Sequence, residues 1–158
     1  MTYILALDQG TSSSRALLYD AAGAVVASAQ QSINSSYPHD GWVEQDPEMI
    51  WTSILQVGRQ AIASANIQAT DIAAIGITNQ RETSVLWERQ TSHCLYNAIV
   101  WQDRRTSDVC AAKIDAGTQD AVRAATGLPL DPYFSATKLA WMLDQGDLRQ
   151  RAERGELA

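Results

Sequence analysis

The sequence predicts an α/β fold, a mixed sheet with flanking helices. Three observations predict it. Strand-like runs at residues 3–7, 16–19 and 24–31 follow one another with only short turns between them, as in an antiparallel meander. A helix signal comes next, at Asp46-Pro47-Glu48. A fourth run, Ile72–Thr78, is apolar at successive positions and reads as a strand buried on both faces.

The first strand, residues 3–7, ends on a carboxylate, Asp8. Gly10 and four hydroxyl residues in a row follow, then Arg15 and the returning strand. The chemistry available to such a hairpin tip is limited. Gly10 lets the backbone approach a ligand closely. The N–H groups and hydroxyls of Thr11, Ser12 and Ser13 suit phosphate oxygens, because a tight turn aims several N–H groups at one point. Arg15 adds fixed charge and a planar fork. Asp8 cannot bind phosphate, but it can hold Mg²⁺ through water, since Mg²⁺ takes few carboxylates and keeps its waters. An ordinary polar hairpin loop has the same residue types for conformational reasons.

Residues 20–23 read as a turn and residues 32–45 as a loop with Tyr37, Pro38, Gly41 and Trp42. Asp46 is placed to cap a helix, with Pro47 at its first position and Glu48 in its first turn. Ile50, Ile54, Val57 and Ala61 then keep helical spacing to about Ala65. The Ile72–Thr78 strand is expected at the centre of the sheet, with Asn79, Gln80, Arg81, Glu82 and Thr83 at its carboxyl end, where ligands of such sheets bind. Strand, strand, strand, helix, strand is the opening of a ribonuclease-H-like domain. Residues 84–87 and 97–101 suggest a further strand pair around a turn at His93. Residues 106–113 and 118–126 read as helices, the second ended by Gly127 and Pro129. Residues 130–135 form a loop. Ser135 is expected to cap a last helix with Leu139, Met142 and Leu143 on one side. Residues 149–158 are charged and show no periodic apolar face, and the last twenty or so residues are expected to be mobile, as a loosely tied tail.

The 158 residues are enough for one domain with a real core. A net charge of −6 argues against a nucleic-acid partner. Residues 1–7 do not read as a signal peptide, with no basic start and Asp8 cutting the apolar run short, and no stretch reaches the length of a membrane span. Cys94 and Cys110 lack Cys-x-x-Cys spacing and read as free thiols of a cytoplasmic protein. The sequon Asn34-Ser35-Ser36 is then silent.

A second group of residues suits a small polyol. Arg81 offers only donors and Glu82 only acceptors, so together they can bracket a hydroxyl. Trp101 offers a flat apolar wall, and Tyr133 a face and a hydroxyl. Each has a plainer reading: an exposed charge pair, a core tryptophan, a loop anchor. His39 and His93 lie in polar loops without partners at metal spacing and read as surface residues.

The stretch Leu7-Asp8-Gln9-Gly10-Thr11-Ser12-Ser13-Ser14-Arg15 resembles the first phosphate loop of the FGGY carbohydrate kinases, relatives of actin, hexokinase and the chaperone ATPases. Four more stretches resemble the branch of that family that phosphorylates glycerol. They are Gly41-Trp42-Val43-Glu44-Gln45-Asp46-Pro47, Gly76-Ile77-Thr78-Asn79-Gln80-Arg81-Glu82-Thr83, Asn97-Ala98-Ile99-Val100-Trp101-Gln102-Asp103-Arg104-Arg105 and Thr126-Gly127-Leu128-Pro129-Leu130-Asp131-Pro132-Tyr133-Phe134-Ser135, in family order. The resemblance implies transfer of the γ-phosphoryl group of ATP to glycerol, giving sn-glycerol 3-phosphate and ADP. It implies that Arg81, Glu82 and Tyr133 bind glycerol and that Trp101 helps wall the pocket. It further implies that Thr11, Ser12, Ser13 and Arg15 contact nucleotide phosphates, that Asp8 serves Mg²⁺, and that the full-length protein is a homo-oligomer. Ser12 stands where relatives often carry Thr, and the hydroxyl is kept.

The pattern also departs from the family. The family's catalytic base is an Asp in a Gly-Asp-Gln motif, and none occurs here; Asp144-Gln145-Gly146 is no substitute. Residues 1–158 are therefore expected to be an incomplete first kinase domain. The second, adenosine-binding domain lies outside it, no catalytic residue lies within it, and the chain alone is inactive. The alternatives are a kinase of the same family for another polyol or sugar, and a truncated, non-catalytic binding module. No Gly-x-Gly-x-x-Gly or Walker-type motif supports another nucleotide enzyme.

Overall fold

The computed structural model describes residues 2–158. In chain order its elements are β1 Tyr3–Gln9, β2 Ser13–Tyr19, β3 Val25–Ser32, β4 Glu44–Gln45, α1 Pro47–Ser64, β5 Ile72–Thr78, β6 Ala98–Ile99, α2 Ser107–Asp115, α3 Gln119–Thr126, α4 Ser135–Leu143 and α5 Leu148–Glu153. They fall into two compact units. One comprises the chain up to Ser35 with Gln45–Gln80, the other Ser36–Glu44 with Arg81–Ala158.

The first unit is a four-stranded sheet in the order β3-β2-β1-β5. The meander pairs antiparallel and β5 pairs parallel to β1, so the sheet is mixed. Alternation along the strands sorts the side chains. Leu5, Ala16, Leu18 and Ala29 turn to one face and meet Val57 and Ala61 of α1 in the core. Gly58 faces β1 closely: a Cβ there would lie 3.4 Å from Leu7 Cδ2, at van der Waals contact. Asp46 caps α1 by accepting from Glu48 N–H at 2.9 Å, with Pro47 at the first position, as the sequence predicts. Ser53 donates to Ile50 O at 2.9 Å, which leaves Ser14 to donate to Ser53 at 2.8 Å, so both buried hydroxyls are satisfied.

Two expectations change in this unit. Strand β1 runs on through Asp8 and Gln9, and β2 starts at Ser13, so only residues 10–12 form the tip. Ladder hydrogen bonds belong to the backbone, and polar side chains do not end them. Strand β5 lies at an edge of the sheet rather than at its centre. Ile75 and Ile77 share the face of their ladder partners Leu5 and Leu7, yet α1 does not reach over them, and Ile77 is 74% exposed. A two-sided apolar pattern shows what a strand can bury, not what covers it.

The second unit is built around Leu86, Ile99, Met142, Leu148 and Leu157. Strand β6 lies beside residues 43–44, where Val100 N–H donates to Val43 O at 3.0 Å. Of the expected strand pair, only the bridges Ser84–Ile99 and Trp87–Cys94 form. Trp87 N–H turns instead to Ala158 O at 2.9 Å, and Glu88 bridges Leu157. The tail is thus not loosely tied. Leu148 and Leu157 bury its two ends, and Arg151 between them pairs with Glu88 and Glu156. Two anchors nine positions apart leave no helical period in the sequence. Met142 is fully buried, while Leu139 stays partly exposed. Ser135 is the first residue of α4 rather than its cap, and Phe134 holds the cap position without a side-chain bond.

Candidate functional site

The sequence-predicted residues fall into two groups, one in each unit. In the first unit the hairpin tip closes with Gly10 N–H donating to Ser13 O at 2.9 Å. A Cβ on Gly10 would lie 3.1 Å from that oxygen, so any side chain here would press on the tight turn. The tip carbonyls, which would repel an anion, are all engaged. Ile33 N–H donates to Ser12 O at 2.9 Å, Gln45 Nε2 to Thr11 O at 2.7 Å, and Gln9 Nε2 to Gly10 O at 2.9 Å. The three amides form a chain. Gln80 Nε2 donates to Gln45 Oε1 at 2.9 Å and to Gln9 Oε1 at 3.1 Å. Gln45 is 1% exposed, so its carboxamide must be satisfied inside the protein.

Asp8, Arg15, Gln30 and Thr78 form one row across the four strands, on the face away from α1. Arg15 Nη2 donates to Gln30 Oε1 at 3.1 Å, and Gln30 Nε2 donates to Ser13 Oγ at 3.0 Å. Gln30 therefore links the guanidinium to a tip hydroxyl. Asp8 is exposed and makes no ion pair with its ladder partner Arg15. Among the described residues no group of three or more His, Cys, Asp or Glu could hold a metal ion. A lone open carboxylate fits Mg²⁺ held through water and completed by phosphate oxygens, and does not fit an all-protein metal cage.

In the second unit, Glu82 adopts a left-handed conformation with φ 65°. Its Oε2 accepts from Ser135 N–H at 3.0 Å and from Ser135 Oγ at 2.8 Å. Neighbouring Arg81 is exposed and has no ion pair among the described residues. Trp101 is anchored through its N–H to Thr83 Oγ1 at 3.3 Å. Its ring meets that of Tyr133 with centroids 5.5 Å apart. Tyr133 is held by its backbone at both ends. Its N–H donates to Asp131 Oδ1 at 2.8 Å, and its carbonyl accepts from Lys138 Nζ at 2.5 Å. Lys138 is fully buried. Burial pushes its ammonium down to about 8, against the pull of the Asp103, Glu82 and Asp131 carboxylates. Asp103 itself is buried. It accepts from Val43 N–H at 2.7 Å and from the Arg105 guanidinium, which lies 3.8 Å from the Trp42 ring centroid.

The structure thus groups Glu82, Trp101 and Tyr133, and separately Asp8, Thr11, Ser12, Ser13 and Arg15. Both His39 and His93 are on the surface, as expected. Sequence reasoning missed Gln9, Gln45, Gln80, Ser135 and Lys138. An amide or hydroxyl whose partner is far along the chain gives no local sign. Lys138 did give one, because it stands four positions before Met142, on the helix face that must be buried.

The model of the FGGY family of carbohydrate kinases, N-terminal domain, matches residues 3–154. The chain belongs to the FGGY family of carbohydrate kinases. It is 58% identical over 159 aligned residues to the glycerol kinase of Methylibium petroleiphilum, covering 100% of this chain and 32% of that protein. The chain spans about a third of the length of the curated relatives it matches. Among solved structures it resembles Plasmodium falciparum glycerol kinase with ADP, with a TM-score of 0.91 and 30% identity over 100% of this chain and 32% of that one. It also resembles a ligand-bound xylulose kinase from Lactobacillus acidophilus, with a TM-score of 0.83 and 25% identity over 92% and 29%. The FGGY chain therefore carries part of the actin/hexokinase-like fold, a mixed sheet with flanking helices, as its element order predicts.

Proposed function

We propose that this chain is the N-terminal part of an ATP-dependent glycerol kinase, which moves the γ-phosphoryl group of ATP to glycerol and yields sn-glycerol 3-phosphate. The observation that carries the proposal is the state of Glu82. Ser135 holds one carboxylate oxygen, and Oε1 is left to accept from a ligand hydroxyl next to the Tyr133 loop. In this scheme Arg81 donates to the hydroxyls that Glu82 accepts from, and the Trp101 and Tyr133 rings cover the carbon chain. The tip donors of Thr11, Ser12 and Ser13, with Arg15, take nucleotide phosphate oxygens. Mg²⁺ held through water at Asp8 would neutralise phosphate charge. None of residues 1–158 is assigned the proton-accepting role. The complete protein is, on the same proposal, a cytoplasmic homo-oligomer.

Glycerol is preferred over a sugar because curated glycerol kinases match this chain at 54–58% identity, whereas the xylulose-type kinases among the solved structures match at 22–33%. The test is a chimera of residues 1–158 with the remaining sequence of the Methylibium enzyme. It should phosphorylate glycerol with ATP and Mg²⁺, and xylulose at least tenfold less efficiently. A preference for another polyol would overturn the substrate. A folded chimera that transfers no phosphoryl group would overturn the kinase assignment.

A further inference from the structure

We propose that Ser135 and Lys138, at the start of α4, are positioning residues of the polyol site. Ser135 would fix the Glu82 carboxylate, and Lys138 the backbone that carries the Tyr133 ring. The proposal rests on the assignment of Glu82 and Tyr133 to substrate.

Glu82 is a flexible side chain on a residue with left-handed backbone, so its direction must be set by contacts. Both contacts come from one residue. Ser135 gives its N–H and its Oγ to the same oxygen, Oε2. Charge-assisted bonds of this kind are the strong ones, and two from one donor residue fix orientation as well as distance. The carboxylate also sits at the N-terminus of α4, where negative charge is favoured. Ser135 therefore does not cap its own helix, and its hydroxyl is committed to Glu82.

Lys138 stands one turn further along α4 and reaches back. Its Nζ donates to Tyr133 O at 2.5 Å and to Phe134 O at 3.4 Å. A buried ammonium is costly to keep, so what it holds is informative. The peptide it binds carries the Tyr133 ring, which packs 5.5 Å from Trp101 and 5.2 Å from Phe134 between centroids. One helix turn thus sets the carboxylate and the aromatic wall together. If substrate hydroxyls bind there, the two residues act on substrate affinity through Glu82 and Tyr133, without touching substrate.

The Methylibium chimera tests this with steady-state kinetics and calorimetric glycerol binding. Ser135→Ala should raise the KM and Kd for glycerol about tenfold and leave the KM for ATP within twofold. Ser135→Thr restores the hydroxyl and should recover most of the loss. Lys138→Met keeps the length and removes the donor, and should also raise the glycerol KM selectively. If Lys138→Met does not fold, Ser135→Ala decides alone. An unchanged glycerol KM in Ser135→Ala overturns the proposal. Equal rises for glycerol and ATP overturn it as well, because a merely structural role would produce them. Should the parent chimera prefer another polyol, the same split on that polyol supports the positioning role, and only glycerol as substrate fails. A chimera that binds no polyol overturns both.

Discussion

Arg81 and Glu82 are neighbours in sequence and are held in opposite ways. Glu82 pays about 1–3 kcal/mol for a left-handed backbone. Its two bonds from Ser135, at about 1.5–3 kcal/mol each for a charged acceptor, exceed that cost. Arg81 has no such tether and is exposed. A cation left open beside a fixed carboxylate is suited to be completed by ligand. In the chimera, Arg81→Ala should lose about 1.5–3 kcal/mol of glycerol binding, roughly ten- to a hundredfold in KM. The KM for ATP should stay near the parent value, since the nucleotide-phosphate group is assigned to other residues. Parallel rises in both constants would remove Arg81 from the polyol site. Glu82 could be singled out in the sequence because opposite charges stood side by side at a strand end. Its tether could not, because Ser135 lies 53 positions away.

At the scale of elements, α1 shows what a sequence specifies locally. Asp46, Pro47 and the spacing of Val57 and Ala61 all lie within a few turns, and cap, start and buried face came out as expected. Replacing Asp46 by Ala should cost about 1 kcal/mol of local stability. Hydrogen exchange in the first turn of α1 should then quicken about fivefold, while the amides shared by β1 and β2 keep their protection. Unaltered exchange at Ile50 and its neighbours would mean that the cap bond contributes nothing. Elements that depend on distant partners were less legible. The pair expected at residues 84–87 and 97–101 gives way to bridges because Trp87 and Glu88 find partners at Ala158 and Leu157. The tail looked featureless because its apolar anchors are few and widely spaced. In the same way the motif residues of the hairpin tip were readable, and the chain of amides through Gln9, Gln80 and Gln45 beneath it was not.

For the molecule as a whole the weak place is the outer edge of β5. The strand pairs only with β1 among the described residues, so its other side offers unpaired N–H and C=O groups. Its sequence, Ile-Ala-Ala-Ile-Gly-Ile-Thr, has no charge and no proline to guard an edge. Ile75 is 57% exposed and Ile77 74%, and Ile4 on the opposite face of neighbouring β1 is 49% exposed. Apolar surface and an open edge in one place favour pairing with another chain. The second unit has no comparable defect in its tail, where Leu157 is buried and Trp87 exchanges backbone hydrogen bonds with Ala158 in both directions. The purified 158-residue chain should therefore self-associate through β5 while its last residues stay protected. Sedimentation should show dimers or larger species, and hydrogen exchange should slow along β5 as concentration rises. Ile77→Lys places a charge on the exposed edge and should return the chain to monomer. A parent chain that sediments as a monomer, with β5 exchanging equally at all concentrations, would show that the edge is adequately guarded by solvent alone.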